Sequence, residues 1–229
     1  MQVQYTAGKV VVAFIHPGQV SAYFMSSLVR MLLADQNGPR RIVGVLQEWS
    51  SANVAAARNS LTRQFLDAKA AEWLLWIDSD MEWDEHALGQ LLESADREYA
   101  PIVGGLCFGM SQGKLFPTIY QLAETPEGVR TVRAPDYPRD QLVSVAATGG
   151  AFLLIHRDVI AKIAAKEFNP TFTWFQETEA YGQPVGEDLT FCLRALACGY
   201  PIHVDTRIKV GHHKSHLLTE DLFDAQGVS

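Results

Sequence analysis

Short apolar runs alternate with stretches of helical periodicity along the first hundred residues. Val10-Val11-Val12-Ala13-Phe14-Ile15 is β-branched and apolar and ends at His16-Pro17-Gly18. It reads as a buried strand followed by a turn. From Val20 to Leu33, Phe24, Leu28 and Leu32 recur at helical spacing, and Asn37-Gly38-Pro39 stops the helix. Arg41 to Leu46 is a second strand, running into Gln47-Glu48-Trp49-Ser50-Ser51. Asn53 to Ala71 is a second helix with Val54, Leu61 and Phe65 on one stripe. Then Trp73-Leu74-Leu75-Trp76-Ile77, apolar on both faces, runs straight into Asp78-Ser79-Asp80. A short run without polar alternation is the pattern of a central strand covered on both sides. A helix from Asp84 to about Glu93 follows. Strand and helix alternating three times predict one doubly wound α/β half.

The pattern then changes. Ile102 to Phe108 is another apolar strand. Residues 111–147, punctuated by Pro117, Thr125-Pro126-Glu127-Gly128 and Pro135-Asp136-Tyr137-Pro138, predict short antiparallel strands joined by turns. Val143 to Ala147 enters a second apolar run, Thr148 to Ile155, that contains Gly149-Gly150. Paired glycines there predict either a close approach by a ligand or a bulge. A helix from Asp158 to Lys166, an aromatic stretch Thr171 to Phe175 and a polar loop from Gln176 to Val185 come next. Gly186-Glu187-Asp188 opens a helix lined by Leu189, Cys192, Leu193 and Leu196 and ended by Gly199. Tyr200 to Asp205 is a last strand. The tail carries His212, His213 and His216.

Composition narrows the class. The 229 residues are 48% hydrophobic and 20% charged, the balance of one soluble domain with a sizeable core. A single domain over 1–229 is expected, with a first half at 8–100, a second half at 101–216 and a tail at 217–229. No apolar run approaches membrane-spanning length, and Met1 to Tyr5 lacks the layout of a signal peptide. Cys107, Cys192 and Cys198 are odd in number and lack Cys-x-x-Cys spacing, so reduced core thiols and a cytoplasmic location are expected. The net charge of −7 and scattered Lys and Arg argue against binding of a nucleic-acid backbone.

Three groups of residues carry candidate chemistry. Asp78 and Asp80 stand at the carboxyl end of the buried strand, where ligands of open α/β sheets sit. Two anions so close call for a cation between them, or else cap a turn. Glu187 and Asp188 open a helix, where its dipole also favours them. The histidines form the third group. Carboxylates with one imidazole suit Mn2+ or Mg2+, with substrate phosphates completing the shell. Arg58 lies inside the buried stripe of its helix, about 20° from Phe65 at 100° per residue, so its charge requires a partner. Asn59 is beside it.

In order and spacing these pieces resemble the GT-A glycosyltransferases, and among them glycosyltransferase family 2. The resemblance covers about residues 8 to 216. It rests on Ile15-His16-Pro17, Ala57-Arg58-Asn59, Asp78-Ser79-Asp80, Gly149-Gly150-Ala151-Phe152, Gly186-Glu187-Asp188 and Val210-Gly211-His212. It implies a Rossmann-like α/β fold of the nucleotide-diphospho-sugar transferases, three-layer α/β/α with a mixed central sheet. It also implies a metal-dependent transferase of hexosyltransferase type that moves a sugar from a nucleotide-sugar donor, UDP favoured, to a hydroxyl. Asp78, Asp80 and His212 would hold Mn2+ or Mg2+, with His213 as the alternative to His212. His16, Pro17, Glu48, Arg58, Asn59, Asp78 and Ser79 would border the nucleotide. Asp188, or Glu187, would deprotonate the acceptor. Gly149, Gly150, Trp174 and Phe175 would shape the sugar and acceptor pocket, and the 176–185 loop would act as a lid.

No membrane or amphipathic C-terminal segment of the kind found in lipid-acting relatives is visible. A soluble acceptor, protein or small molecule, is therefore expected. Two rivals are a non-catalytic nucleotide-sugar binding module and a phosphohydrolase of the haloacid dehalogenase type. The latter places Asp-x-Asp on its first strand, whereas two βα units precede it here.

Overall fold

A computed structural model describes residues 8–50, 52–111, 113–126, 128–166, 173–180 and 183–214. Strands β1 (Val10–His16), β2 (Ile42–Trp49) and β3 (Trp73–Ile77) are parallel, with β1 between the other two. Helices α1 (Ala22–Asn37) and α2 (Val54–Ala68) make the crossovers. A two-residue strand β4 (Met81–Glu82) and α3 (Ala87–Ser94) lead to β5 (Ile102–Leu106). Two hairpins follow, β6 (Phe108–Ser111) with β7 (Lys114–Pro117), and β8 (Ile119–Thr125) with β9 (Gly128–Arg133). Then come β10 (Leu142–Val145), β11 (Ala147–Thr148), β12 (Phe152–His156), α4 (Arg157–Lys166), β13 (Thr178–Ala180), β14 (Gln183–Val185), α5 (Glu187–Ala197), β15 (Ile202–Lys209) and β16 (Gly211–His212).

The central sheet has seven strands in the order β10-β15-β5-β12-β3-β1-β2. It is mixed: β12 runs antiparallel to both β3 and β5, and β10 antiparallel to β15. The alternation of side chains along a strand splits the core in two. Leu74 and Trp76 of β3 join Leu61, Phe65, Ile160 and Phe191, on the α2, α4 and α5 side. Trp73, Leu75 and Ile77 join Phe24, Leu28 and Leu91, on the α1 and α3 side. All five β3 residues are buried, each worth about 1.5–3 kcal/mol against exposure. This is the three-layer α/β/α architecture with a mixed sheet that the resemblance implies.

Some boundaries differ from the sequence reading. Helix α2 ends at Ala68, not Ala71, because Lys69 adopts a left-handed conformation (φ 51°). The buried Arg157 then donates to the carbonyls of Phe65 and Leu66, which the helix end leaves unpaired, and to that of Ala71 beyond it. The run from Val143 to Ile155 is three strands, broken at Gly149-Gly150. Residues 176–185, expected as an irregular loop, contain the antiparallel β13–β14 pair, tied to α5 by Thr178 and Thr190 hydroxyls 2.9 Å apart. Of the aromatic stretch, residues 171–172 lie outside the described residues, as does His216. All three cysteines are free.

Candidate functional site

The site is built on the carboxyl end of β3. After Ile77, the Asp78 amide donates to the Ala151 carbonyl (2.9 Å), which fixes the strand end against β12. Met81 N–H donates to the Asp78 carbonyl (3.1 Å) and closes a tight turn. Beyond it, β4 pairs with β16, His212 opposite Met81 and Gly211 opposite Glu82. His213 N–H donates to the Asp80 carbonyl at 2.9 Å. This small ladder brings residues 132 positions apart in sequence into contact.

His212 Nε2 lies 3.0 Å from Asp80 Oδ2, and Lys214 Nζ lies 2.8 Å from that same oxygen. His212 Nδ1 is 2.9 Å from the Phe108 carbonyl, which can only accept, so Nδ1 carries a proton. Nε2 is the nitrogen left to face the carboxylate. Partial burial works against a charge on Asp80, but hydrogen bonds and charges from His212 and Lys214 outweigh it and bring its pKa to about 2. The Asp80 hydrogen bond in turn raises the pKa of His212. His213 stands aside, with Nε2 2.7 Å from Glu82 Oε2 and its ring stacked on Tyr23 at 3.8 Å. Of the two histidines considered as ligands, His212 is the one on Asp80.

Asp78 faces the other way. Its Oδ1 accepts from Arg58 Nη2 at 2.9 Å. Among the described residues no group of three or more His, Cys, Asp or Glu is gathered to hold a metal ion. The expected set of Asp78, Asp80 and His212 is therefore not assembled; Asp80 and His212 converge and Asp78 does not. The pair itself suits a divalent cation. Its one oxygen and one imidazole nitrogen are at contact distance, and a backbone carbonyl fixes the imidazole tautomer, as is usual for a metal-bound histidine.

Arg58 is only 3% exposed and does not border an open nucleotide pocket as expected. Beyond Asp78, its Nη1 donates to the Gly150 carbonyl (3.2 Å), its Nε is 3.6 Å from Glu187 Oε1, and its head lies 5.3 Å from the Trp76 ring and 5.6 Å from the Phe175 ring. Asn59 is likewise internal. Its Nδ2 donates to the Phe175 carbonyl (2.7 Å) and its Oδ1 accepts from the Phe175 amide (3.0 Å). Trp174 and Phe175 are 4% and 1% exposed, so neither offers an open face to a sugar ring. Trp174 Nε1 donates to the Ile160 carbonyl (2.9 Å), and Phe175 stacks on Phe191 at 4.8 Å. A run of aromatics next to polar residues reads the same whether it lines a pocket or backs one.

Asp188 approaches the glycine pair from α5. Its Oδ2 accepts from the Gly150 amide (3.3 Å) and its Oδ1 from the Leu189 amide (2.7 Å). Thr118 and the Asp188 carboxylate both border the space where a Gly149 side chain would stand. Glu187 is mostly enclosed. Burial, then the Asp188 charge, raise its pKa despite Arg58. Half-buried Tyr120 resists ionisation through burial and through the Asp188 charge. His16 pairs with Trp49 and Ile15 with Glu48 at the carboxyl ends of β1 and β2. The His16 ring accepts from the Gly18 amide (3.1 Å), Pro17 is exposed, and the Ser79 carbonyl accepts from the Ser21 amide (3.1 Å). Lys214, Glu82 and Tyr23 were not legible as site residues. Only the β4–β16 register reveals them, and two-residue strands leave no periodic trace.

No family model matches the chain, and no curated protein matches it in sequence. Solved structures do share its fold. The crystal structure of A197 from STIV aligns with a TM-score of 0.60 at 16% identity, over 90% of this chain and 86% of that one. GalNAc-T7, solved with UDP, GalNAc and Mn2+, aligns with a TM-score of 0.54 at 13% identity, over 89% of this chain and 43% of that one. The fold is GT-A, as the order of motifs implied. No helix among the described residues is long and apolar enough to cross a membrane.

Proposed function

We propose that this chain is a GT-A glycosyltransferase. It moves a sugar, of hexose type, from a nucleoside-diphosphate donor, UDP favoured, to a hydroxyl of a soluble protein or small-molecule acceptor. The observation that carries this reading is the convergence of Asp80 with His212 at the end of β3, with a second carboxylate, Asp188, held by the Gly150 amide. The likeness to a protein solved with UDP and Mn2+ supports the choice of donor and metal.

In this reading Asp80 Oδ2 and His212 Nε2 would hold Mn2+ or Mg2+, which would offset charge growing on the diphosphate leaving group. The His212 Nδ1–H to Phe108 carbonyl bond keeps that ring aimed. The turn at His16-Pro17 and Glu48 borders the base, within a nucleotide half spanning 8–100. Asp78 and Ser79 border the ribose, with Asp78 oriented by Arg58. The acceptor enters through the 101–216 half. Asp188 takes the acceptor's proton: a carboxylate fixed by two backbone amides keeps its geometry while the proton moves. Glu187, turned toward Arg58, sets the field around it. Gly150 leaves the room that the Arg58 guanidinium fills, and Gly149 faces Thr118 and the Asp188 carboxylate, so the pair lets Arg58 and Asp188 close on this backbone.

Titration with UDP, GDP and their sugar conjugates, with and without Mn2+, tests this. Metal-dependent binding of a uridine donor is the expected result, and no nucleotide binding under any metal condition would overturn it. Turnover unimpaired in both Asp188→Asn and Glu187→Gln would remove the assigned base.

A further inference from the structure

Two cationic groups meet on one oxygen of Asp80. His212 Nε2 is 3.0 Å and Lys214 Nζ 2.8 Å from Oδ2. A divalent cation held by Asp80 and His212 takes that oxygen and that nitrogen for itself. An ammonium ion within a few ångströms of the cation is repelled, so the two compete for Oδ2. The ammonium has somewhere to go. Its backbone is anchored one residue earlier by the His213 N–H bond to the Asp80 carbonyl (2.9 Å), while its side chain is a flexible stem. A cleft of about 400 Å³, bordered by Phe108, Met110, Leu115 and His212, opens beside it.

We propose that Lys214 competes with the divalent cation for Asp80 and, once displaced, donates to the diphosphate oxygens of the nucleotide. Lys214 is then both a brake on metal binding and a positioning residue for the leaving group. The exchange releases one proton. His212 Nε2 gives its proton to solvent as the cation takes that nitrogen, the carboxylate trades an ammonium for the metal ion, and the ammonium trades a carboxylate for a phosphate. This rests on the reading of Asp80 and His212 as the cation site.

The test uses the full chain as wild type, Lys214→Met, Lys214→Arg and His212→Ala. Mn2+ is titrated alone and followed by the electron paramagnetic resonance of free Mn2+, and UDP is then titrated at saturating Mn2+. Lys214→Met is expected to bind Mn2+ about two- to fivefold tighter than wild type, the scale an exposed ion pair of up to ~1 kcal/mol supplies. The same variant is expected to bind UDP several-fold more weakly, whereas Lys214→Arg stays near wild type on both counts. Wild type that binds Mn2+ no more weakly than Lys214→Met would overturn the competition. UDP affinity unchanged in Lys214→Met would overturn the second role. If wild type and Lys214→Met both bind no Mn2+, or if His212→Ala binds it undiminished, the cation-site reading fails first and takes this proposal with it.

Discussion

Gly150 shows how one missing side chain can decide a site. A Cβ there would overlap Arg58 Nη1 and stand 2.9 Å from its Cζ, whereas a Cβ on Gly149 would meet Thr118 at an ordinary 3.4 Å. Gly150→Ala must push out the buried guanidinium that holds Asp78. It should destabilise the fold by about 1–3 kcal/mol, the usual cost of overpacking, with Gly149→Ala close to wild type. Thermal unfolding of the two variants makes the comparison, and equal melting points would contradict it. Glu187 gives a pH test. Burial and the neighbouring Asp188 charge raise its pKa in the folded chain, so ionising it works against folding. The folded state binds its proton more tightly than the unfolded state. The associated stability is therefore complete below the unfolded value of 4.5 and is lost as pH rises through the raised folded value. Glu187→Gln should match or exceed wild-type stability at pH 7 and lose that advantage near pH 4, as melting curves at the two pH values will show. A clear loss of stability at pH 7 would mean that the Arg58 interaction outweighs desolvation.

The segments legible in the sequence are those whose burial leaves a pattern. Strands β1, β3, β5 and β12 are apolar on both faces because helices cover both faces of the sheet, and each stands where its apolar run predicts. The Asp78–Asp80 turn and the Glu187-Asp188 helix start follow from where those elements end. Pairing was not legible. Nothing in Met81-Glu82 or Gly211-His212 announces a ladder, yet that ladder sets Asp80 against His212 and Lys214. Arg58 and Asn59 illustrate a second limit. Polar residues on a buried helix stripe require partners, but the sequence does not say whether a ligand or the protein supplies them. For Asn59 the protein does, through both backbone groups of Phe175. Asn59→Ala leaves a buried amide and carbonyl unpaired, at about 1–3 kcal/mol for each group. A fall in melting temperature of several degrees is expected, at about 2–4 °C per kcal/mol for a chain of this size. Nucleotide affinity should change far less. The reverse outcome, a normal melting point with nucleotide binding lost, would return Asn59 to the ligand pocket.

At the scale of the whole molecule, Arg58 joins parts of the chain that the sequence keeps far apart. From α2 it reaches Asp78 at the end of β3, the Gly150 carbonyl before β12 and Glu187 at the start of α5. Asp78 belongs to the proposed donor side, and Glu187 stands next to the proposed base. In the proposed reading, one guanidinium thus sets the spacing between the carboxylate that borders the ribose and the neighbour of the base. Planarity matters here, because Nη1 and Nη2 serve Gly150 and Asp78 at once while the flat face packs near Trp76 and Phe175. Lysine keeps the charge but gathers its three donors on one nitrogen and lacks the planar fork. Arg58→Lys should therefore cost about 2–4 kcal/mol in stability, as expected when a buried charge loses part of its pairing. At temperatures where the variant is fully folded, turnover should drop by about 100-fold, the order of loss that an ångström of misplacement produces. UDP affinity should fall much less, because Asp80 and His212 are untouched by the change. Calorimetric titration of UDP with Mn2+, beside donor turnover at the same temperature, separates the two effects. A parallel fall in both quantities would show that Arg58 serves the donor side alone and does not set the distance between the two.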